Sequence, residues 1–285
     1  MNPKQTQYKA FEYLILTILV LTVVCILAAA ALLIARAVVK PSSVTPPTLT
    51  TEATENPNTP TLTPPVDPEL AEGEDAGMDY IDKMIFFGES TTTHLRSRGV
   101  LTGGTETTQV WADSSGTKTL SSKLLSETIV YPPTGEHLTL AEALKKEQPD
   151  YIVLSFGLNN LNAFIGNKSL YVNNYNKLIT AIQQASPSTK ILLQSVYPVS
   201  ADCDDFSVDG ATVCAHTQTL NEWLKEIAAA HTNVRYVNTA AALTNDAGTL
   251  KEDYDTGDGV HLTAFAYQQV LHYLRTHPWP ETAAS

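Results

Sequence analysis

Between residues 78 and 280 the chain alternates short, continuous apolar runs with stretches where apolar residues return every three or four positions. Continuous runs suit strands buried on both faces of a parallel sheet, and the 3.6-residue return suits helices that cross between them. Five strands are predicted, at Met84-Ile85-Phe86-Phe87, Val110-Trp111, Ile152-Val153-Leu154-Ser155-Phe156, Ile191-Leu192-Leu193 and Val234-Arg235-Tyr236-Val237. Helices are predicted where Thr139 and Glu142 form a capping-box pattern, along Tyr171, Tyr175, Leu178, Ile182 and Ala185, and along Leu220, Trp223, Leu224 and Ile227. A last helix starts near Thr263, with Phe265, Ala266, Val270 and Leu274 on one face. The stretch from Glu127 to His137, which contains Pro132-Pro133, reads as a small hairpin or excursion. Strands alternating with helices predict an α/β domain over 78–280.

The pattern before residue 78 is different. Leu14 to Ile34 is a run of 21 residues without charge or proline. At about 1.5 Å per residue such a helix crosses a ~30 Å hydrocarbon layer. The expectation is a tail over 1–10 and an uncleaved transmembrane signal anchor over 11–40, with Cys25 inside it as an apolar residue. Flanking charge does not orient it, since Lys4 and Lys9 on one side face Arg36 and Lys40 on the other. Residues 41–77 are rich in proline, threonine and acidic side chains with few large apolar ones, so they cannot offset the entropy of folding. They predict a stalk reaching on the order of 100 Å at ~3.1 Å per residue. Anchor, stalk and domain in that order predict a single-pass protein of the cell membrane whose domain lies on the extracytoplasmic side.

The net charge of −12, with no basic stripe, excludes nucleic acid as a partner. Beyond the apolar run only Cys203 and Cys214 remain, bracketing a polar loop; they are a candidate disulfide worth roughly 3 kcal/mol, or two free thiols. No metal-ligand spacing, P-loop or dinucleotide fingerprint occurs, so no cofactor and no metal are expected.

In open parallel sheets, sites form beyond the carboxyl ends of the strands. Gly88-Glu89-Ser90-Thr91 follows the first strand, where a glycine turn can expose Ser90 at a helix N-terminus whose N–H groups favour negative charge. Gly157-Leu158-Asn159-Asn160 follows the central strand and offers a side-chain amide. Asp258-Gly259-Val260-His261 precedes the last helix, and a carboxylate and an imidazole three residues apart can share one loop, His261 taking a serine proton while Asp258 orients its ring. Taken singly, each is also an ordinary capping or turn arrangement. His94, one helical turn after Ser90, can face the same cleft. Asp253 and Asp255 are alternatives to Asp258 with less suitable spacing.

Together, in the order Ser, Asn, Asp, His, these blocks resemble the SGNH/GDSL hydrolase family over the whole folded part. Gly88-Glu89-Ser90 matches Gly-Asp-Ser, Gly157-Leu158-Asn159-Asn160 matches Gly-x-Asn-Asp, and Asp258 to His261 matches Asp-x-x-His. Glu89 and Asn160 depart from the family pattern. The resemblance implies a flavodoxin-like three-layer α/β/α sandwich with a mainly parallel five-stranded sheet. It also implies catalytic Ser90, Asp258 and His261, and an oxyanion hole made by the N–H of Ser90, the N–H of Gly116 and the amide of Asn159, with Gly103 and Gly104 competing for the place of Gly116. The expected activity is ester hydrolysis through an acyl-enzyme. The expected substrate is an O-acyl, above all O-acetyl, group on a cell-envelope or extracellular polysaccharide. An O-acetyltransferase on surface glycans and a non-catalytic glycan-binding module are the alternatives.

Overall fold

The computed structural model describes residues 67–113 and 115–280. The expected tail, membrane anchor with Cys25, and the first part of the stalk lie outside the described residues. No helix among the described residues is long and apolar enough to cross a membrane.

Seven strands and eight helices alternate along the described chain. They are α1 (Met78–Ile81), β1 (Met84–Gly88), α2 (Ser90–Ser97), β2 (Val110–Trp111), β3 (Thr128–Tyr131), β4 (Glu136–Thr139), α3 (Leu140–Glu147), β5 (Tyr151–Ser155), α4 (Leu161–Ile165), α5 (Lys168–Ala185), β6 (Lys190–Gln194), α6 (Gly210–Ala229), β7 (Val234–Val237), α7 (Ala240–Leu243) and α8 (Ala264–Thr276). All five predicted strands pair in one parallel sheet of order β2-β1-β5-β6-β7. The excursion is an antiparallel hairpin, β3 with β4, turned at Gly135 with φ 71°. It joins the sheet edge where Val130 donates to the Ala112 carbonyl at 2.8 Å.

Strand residues alternate between two cores, as the pleat requires. Ile85, Phe87, Ile152, Leu154, Ile191 and Leu193 pack on one side with α3, α5 and α6, whereas Met84, Phe86, Val153 and Leu192 pack on the other with α1, α2 and α8. Every member of the predicted α5 stripe is buried, and Thr139 with Glu142 completes the capping box at α3.

Three expectations are corrected. The stalk does not extend to residue 77 without structure: Tyr236 donates to the Pro68 carbonyl at 2.7 Å, Leu70 donates to the Tyr236 carbonyl at 2.9 Å, and Gly73 and Ala76 donate to the end of α8. The physical reason is that β7 presents an unpaired edge, and a polar, proline-containing segment can satisfy it with its backbone. Phe265, placed on the apolar face of the last helix, is 55 % exposed, its ring meeting only that of Tyr254 edge-on at 5.6 Å. Finally, Cys203 and Cys214 are free and buried rather than joined: the Cys214 thiol lies 3.3 Å from both the N–H and the carbonyl of Val199, and both thiols are held above their ordinary range, chiefly by burial.

Candidate active site

The β1–α2 junction places the first group. Gly88 is enclosed so tightly that a Cβ would lie 2.2 Å from Thr92 Oγ1 and 2.4 Å from the Ser155 carbonyl, so only glycine lets β1 pass directly into the helix. Glu89 is the N-cap of α2 and Ser90 its first residue, where helix N–H groups have no partner within the helix.

Glu89, the residue that departs from the Gly-Asp-Ser pattern, is 3 % exposed and turns inward. Its carboxyl accepts the N–H of Gly157 at 2.9 Å, of Leu158 at 3.1 Å and of Asn159 at 3.1 Å. The longer side chain therefore braces the loop that carries Asn159. Burial pushes this carboxyl up to about 8, against the pull of those three N–H groups. Under the same turn, Tyr171 and Tyr175 both donate to the Phe156 carbonyl at 3.0 Å. Gly157 sits at φ +149°, with no room for a Cβ beside Val196 Cγ2 at 2.6 Å. Asn160, the other departure, is exposed and left-handed at φ 66°, a conformation asparagine tolerates better than most residues.

The loop before α8 places the second group. Asp255 accepts N–H bonds from Gly257 and Gly259 at 3.0 Å, shaping the turn rather than competing with Asp258. Ser200 donates to the Gly259 carbonyl at 2.9 Å, and Thr256 to the His261 carbonyl at 3.0 Å. Asp258 Oδ1 accepts the N–H of Val260 at 2.9 Å and of His261 at 2.8 Å, and Oδ2 lies 2.7 Å from His261 Nδ1. Burial works to raise the Asp258 carboxyl, but the backbone N–H groups of His261 and Val260 and the imidazole outweigh it and hold the carboxyl at about 2. Tyr267 of α8 donates to the Thr91 carbonyl at 2.6 Å, docking the helix after His261 onto the helix that carries Ser90.

The two groups meet across the cleft. Ser90 Oγ lies 2.9 Å from His261 Nε2, which completes a hydrogen-bonded line Ser90–His261–Asp258 across 171 residues of sequence. Such a line can withdraw a hydroxyl proton as the oxygen attacks an electrophile and return it to a leaving group. His94 packs against His261, the ring centroids 4.4 Å apart, but does not take its place beside the serine hydroxyl.

The Gly116 loop is held differently. Gly116 is left-handed at φ +80° and follows the carboxyl end of β2, whereas Gly103 and Gly104 precede that strand and lie toward its amino end. The Gly116 N–H is engaged in this structure, donating to the Asp113 carbonyl at 3.1 Å. Lys118, almost fully buried, fixes this turn through Asp113 at 3.0 Å and Glu127 of the hairpin approach at 3.3 Å. The inward turn of Glu89 and the two braces from Asp255 and Lys118 were missed from sequence. For Glu89 a signal existed, since a carboxyl that directly follows an unbroken buried strand is carried toward the interior.

Among the described residues no group of three or more His, Cys, Asp or Glu side chains could hold a metal ion. Among curated proteins none matches this chain in sequence. Solved structures similar to it include a family 3 carbohydrate esterase from Clostridium thermocellum, with 14% identity, a TM-score of 0.42 and coverage of 67% of this chain and 91% of that one. An acetylxylan esterase from Geobacillus stearothermophilus, solved as a catalytic mutant, shares 19% identity at a TM-score of 0.38 over 69% of this chain and 94% of that one. The periplasmic domain of a lipopolysaccharide acetyltransferase from Salmonella ser. Paratyphi A shares 14% identity at a TM-score of 0.42 over 67% and 81%. The model of the GDSL-like lipase/acylhydrolase family matches residues 86–269, which contain every block of the cleft, and the chain belongs to that family as an ester hydrolase of the SGNH type.

Proposed function

We propose that this ester hydrolase removes O-acetyl groups from a cell-envelope or extracellular polysaccharide, with Ser90 as nucleophile, His261 as general base and acid, and Asp258 as its orienting partner. The observation that carries the reading is the unbroken hydrogen-bonded line from Ser90 Oγ through His261 to Asp258, at 2.9 and 2.7 Å. Ser90 Oγ bonds to the acyl carbon as its proton passes to His261 Nε2. The tetrahedral oxyanion collapses, the sugar oxygen leaves and takes that proton, and an acetyl-serine remains. Water then adds to the acetyl carbon, giving a proton to His261, and collapse returns the proton to Ser90 as acetic acid departs.

The oxyanion is held by the N–H of Ser90 and the side-chain amide of Asn159, with the N–H of Gly116 joining once its bond to Asp113 gives way to substrate. Loss of one such donor costs ~10²–10³ in turnover. Hydrolysis is favoured over transfer to a second sugar because the family matched over residues 86–269 is one of lipases and acylhydrolases, and the part-exposed His261 is open to water. The 21-residue apolar run at Leu14 to Ile34 and the Pro/Thr-rich segment after it support a membrane-anchored placement with the domain outside the cytoplasm. An anchored enzyme meets surface polymers at high local concentration, which supports the polysaccharide assignment.

The test is acetate release by the detergent-solubilised full chain from an aryl acetate and from acetylated polysaccharides, beside Ser90→Ala and His261→Ala. Activity on both substrates that is lost in both variants, with folding retained, is the expected result. Acetate passed to an added glycan instead of water would replace the reading by a transferase. Polysaccharide binding without turnover would replace it by a binding module.

A further inference from the structure

The cleft contains a second imidazole to which the proposed reaction assigns no task. His94 lies four residues after Ser90 on α2, so both side chains leave the helix on the same face. Its ring centroid is 4.4 Å from that of His261, with the planes inclined at 42°. Its Nδ1 is buried and has no hydrogen-bond partner.

That orphan nitrogen fixes the state of the ring. A neutral imidazole carries one N–H and one bare lone pair, whereas an imidazolium carries two N–H groups. A buried N–H without an acceptor costs more than a lone pair without a donor, so the proton of His94 sits on Nε2 and the ring stays neutral. The surroundings agree: burial first, then the nearness of His261 and Arg98, lowers the pKa of His94, and only Asp258 opposes them.

We propose that His94 is a positioning residue, a neutral ring that backs the imidazole of His261 and confines it to the orientation that joins Ser90 to Asp258. This rests on the hydrolase mechanism for its catalytic consequence. Asp258 and Ser90 hold the two nitrogens of His261, but bonds at both ends leave the ring able to tilt about the line between them. The loop that carries His261 is partly exposed and supplies no other aromatic contact to it among the described residues. The ring of His94, 4.4 Å away and inclined at 42°, blocks that tilt. When the serine proton moves onto His261, the new positive charge meets an uncharged ring instead of a second cation.

The test compares His94→Ala and His94→Phe in the full chain. Removing the ring lowers kcat by ~10²-fold, the size of effect expected for a misplaced catalytic group, and leaves KM within about twofold. Phenylalanine, which keeps a flat neutral ring, recovers most of that loss. The second readout needs no turnover: the downfield proton resonance of the His261–Asp258 hydrogen bond is sharp in the parent and in His94→Phe, and broadens in His94→Ala at an unchanged unfolding temperature. A His94→Ala protein with normal kcat and a sharp resonance overturns the proposal. So does a His94→Phe protein as slow as His94→Ala with a sharp resonance, which would give the task to the His94 N–H itself. If the parent hydrolyses no acetyl ester, the hydrolase mechanism fails while the resonance comparison still decides the placement of His261.

Discussion

The two walls of the cleft are built in opposite ways. On the serine wall, Glu89 is buried and spends its carboxyl on three N–H groups that lie 68 to 70 residues away in sequence, so the nucleophile and the Asn159 loop form one rigid piece. On the histidine wall, Asp258 is about half exposed and bonds to Val260 and His261, two and three residues on. One wall draws its precision from the core, the other from a local turn. The difference teaches where damage spreads: a change at the Glu89 brace reaches the fold, and one at the Asp258 turn falls mainly on the chemistry.

Substitutions can break or sharpen that contrast. The largest effect belongs to Ser90→Ala, which removes the nucleophile without touching the brace; ester turnover falls ~10⁴–10⁶-fold while the urea midpoint holds. Asp258→Asn follows, with turnover down ~10⁴-fold and a small drop in midpoint, since the carboxyl that the fold holds at about 2 is half exposed and its contribution is screened by solvent. Glu89→Ala strikes the brace itself. It strands the buried N–H groups of Gly157 and Leu158 and the part-buried one of Asn159 at ~1 kcal/mol each, so equilibrium unfolding shows a loss of about 3 kcal/mol together with lost turnover. A Glu89→Ala protein as stable as the parent would erase the contrast.

Glu89→Gln probes the same wall through pH. The Glu89 carboxyl moves from an ordinary value of 4.5 up to about 8 in the fold. Its contribution to stability is therefore complete below the unfolded value and is lost as pH rises through about 8. Urea midpoints of the parent should fall across that window, and those of Glu89→Gln should be flatter. The smallest effect belongs to Asn160→Ala, at ~1 kcal/mol from the left-handed backbone, with Asn160→Gly near the parent in the same unfolding measurement.

The same contrast explains what could be read from sequence. The five sheet strands, the hairpin excursion and the capping box of α3 are local patterns, and so is the Asp258 to His261 turn. The Ser90–His261 pairing is legible as a possibility from the positions of the two blocks after β1 and before the last helix, and the family resemblance then joins them. The Glu89 brace is only half legible: a carboxyl directly after a buried strand points inward, but its partners are backbone groups and carry no residue signature. Gly116 was placed beyond the correct end of β2, but the bond of its N–H to Asp113 depends on a turn held by buried Lys118. Phe265 failed because periodicity places a side chain on a helix face without telling whether anything packs above it. The side chains from Asp67 to Gly77 predict no structure, whereas the backbone of that segment is what the fold uses.

That segment has a consequence for how copies of the protein behave beside one another. An open sheet has two outer strands whose unpaired amides and carbonyls can recruit a strand from another molecule. Here Pro68 and Leu70 occupy the β7 side, and the β2 side is only two residues long and handed at once to the hairpin through Ala112 and Val130. Among the described residues both outer strands of the sheet are thus engaged by the chain's own backbone, which leaves little open edge on that sheet for a strand of another molecule to pair with.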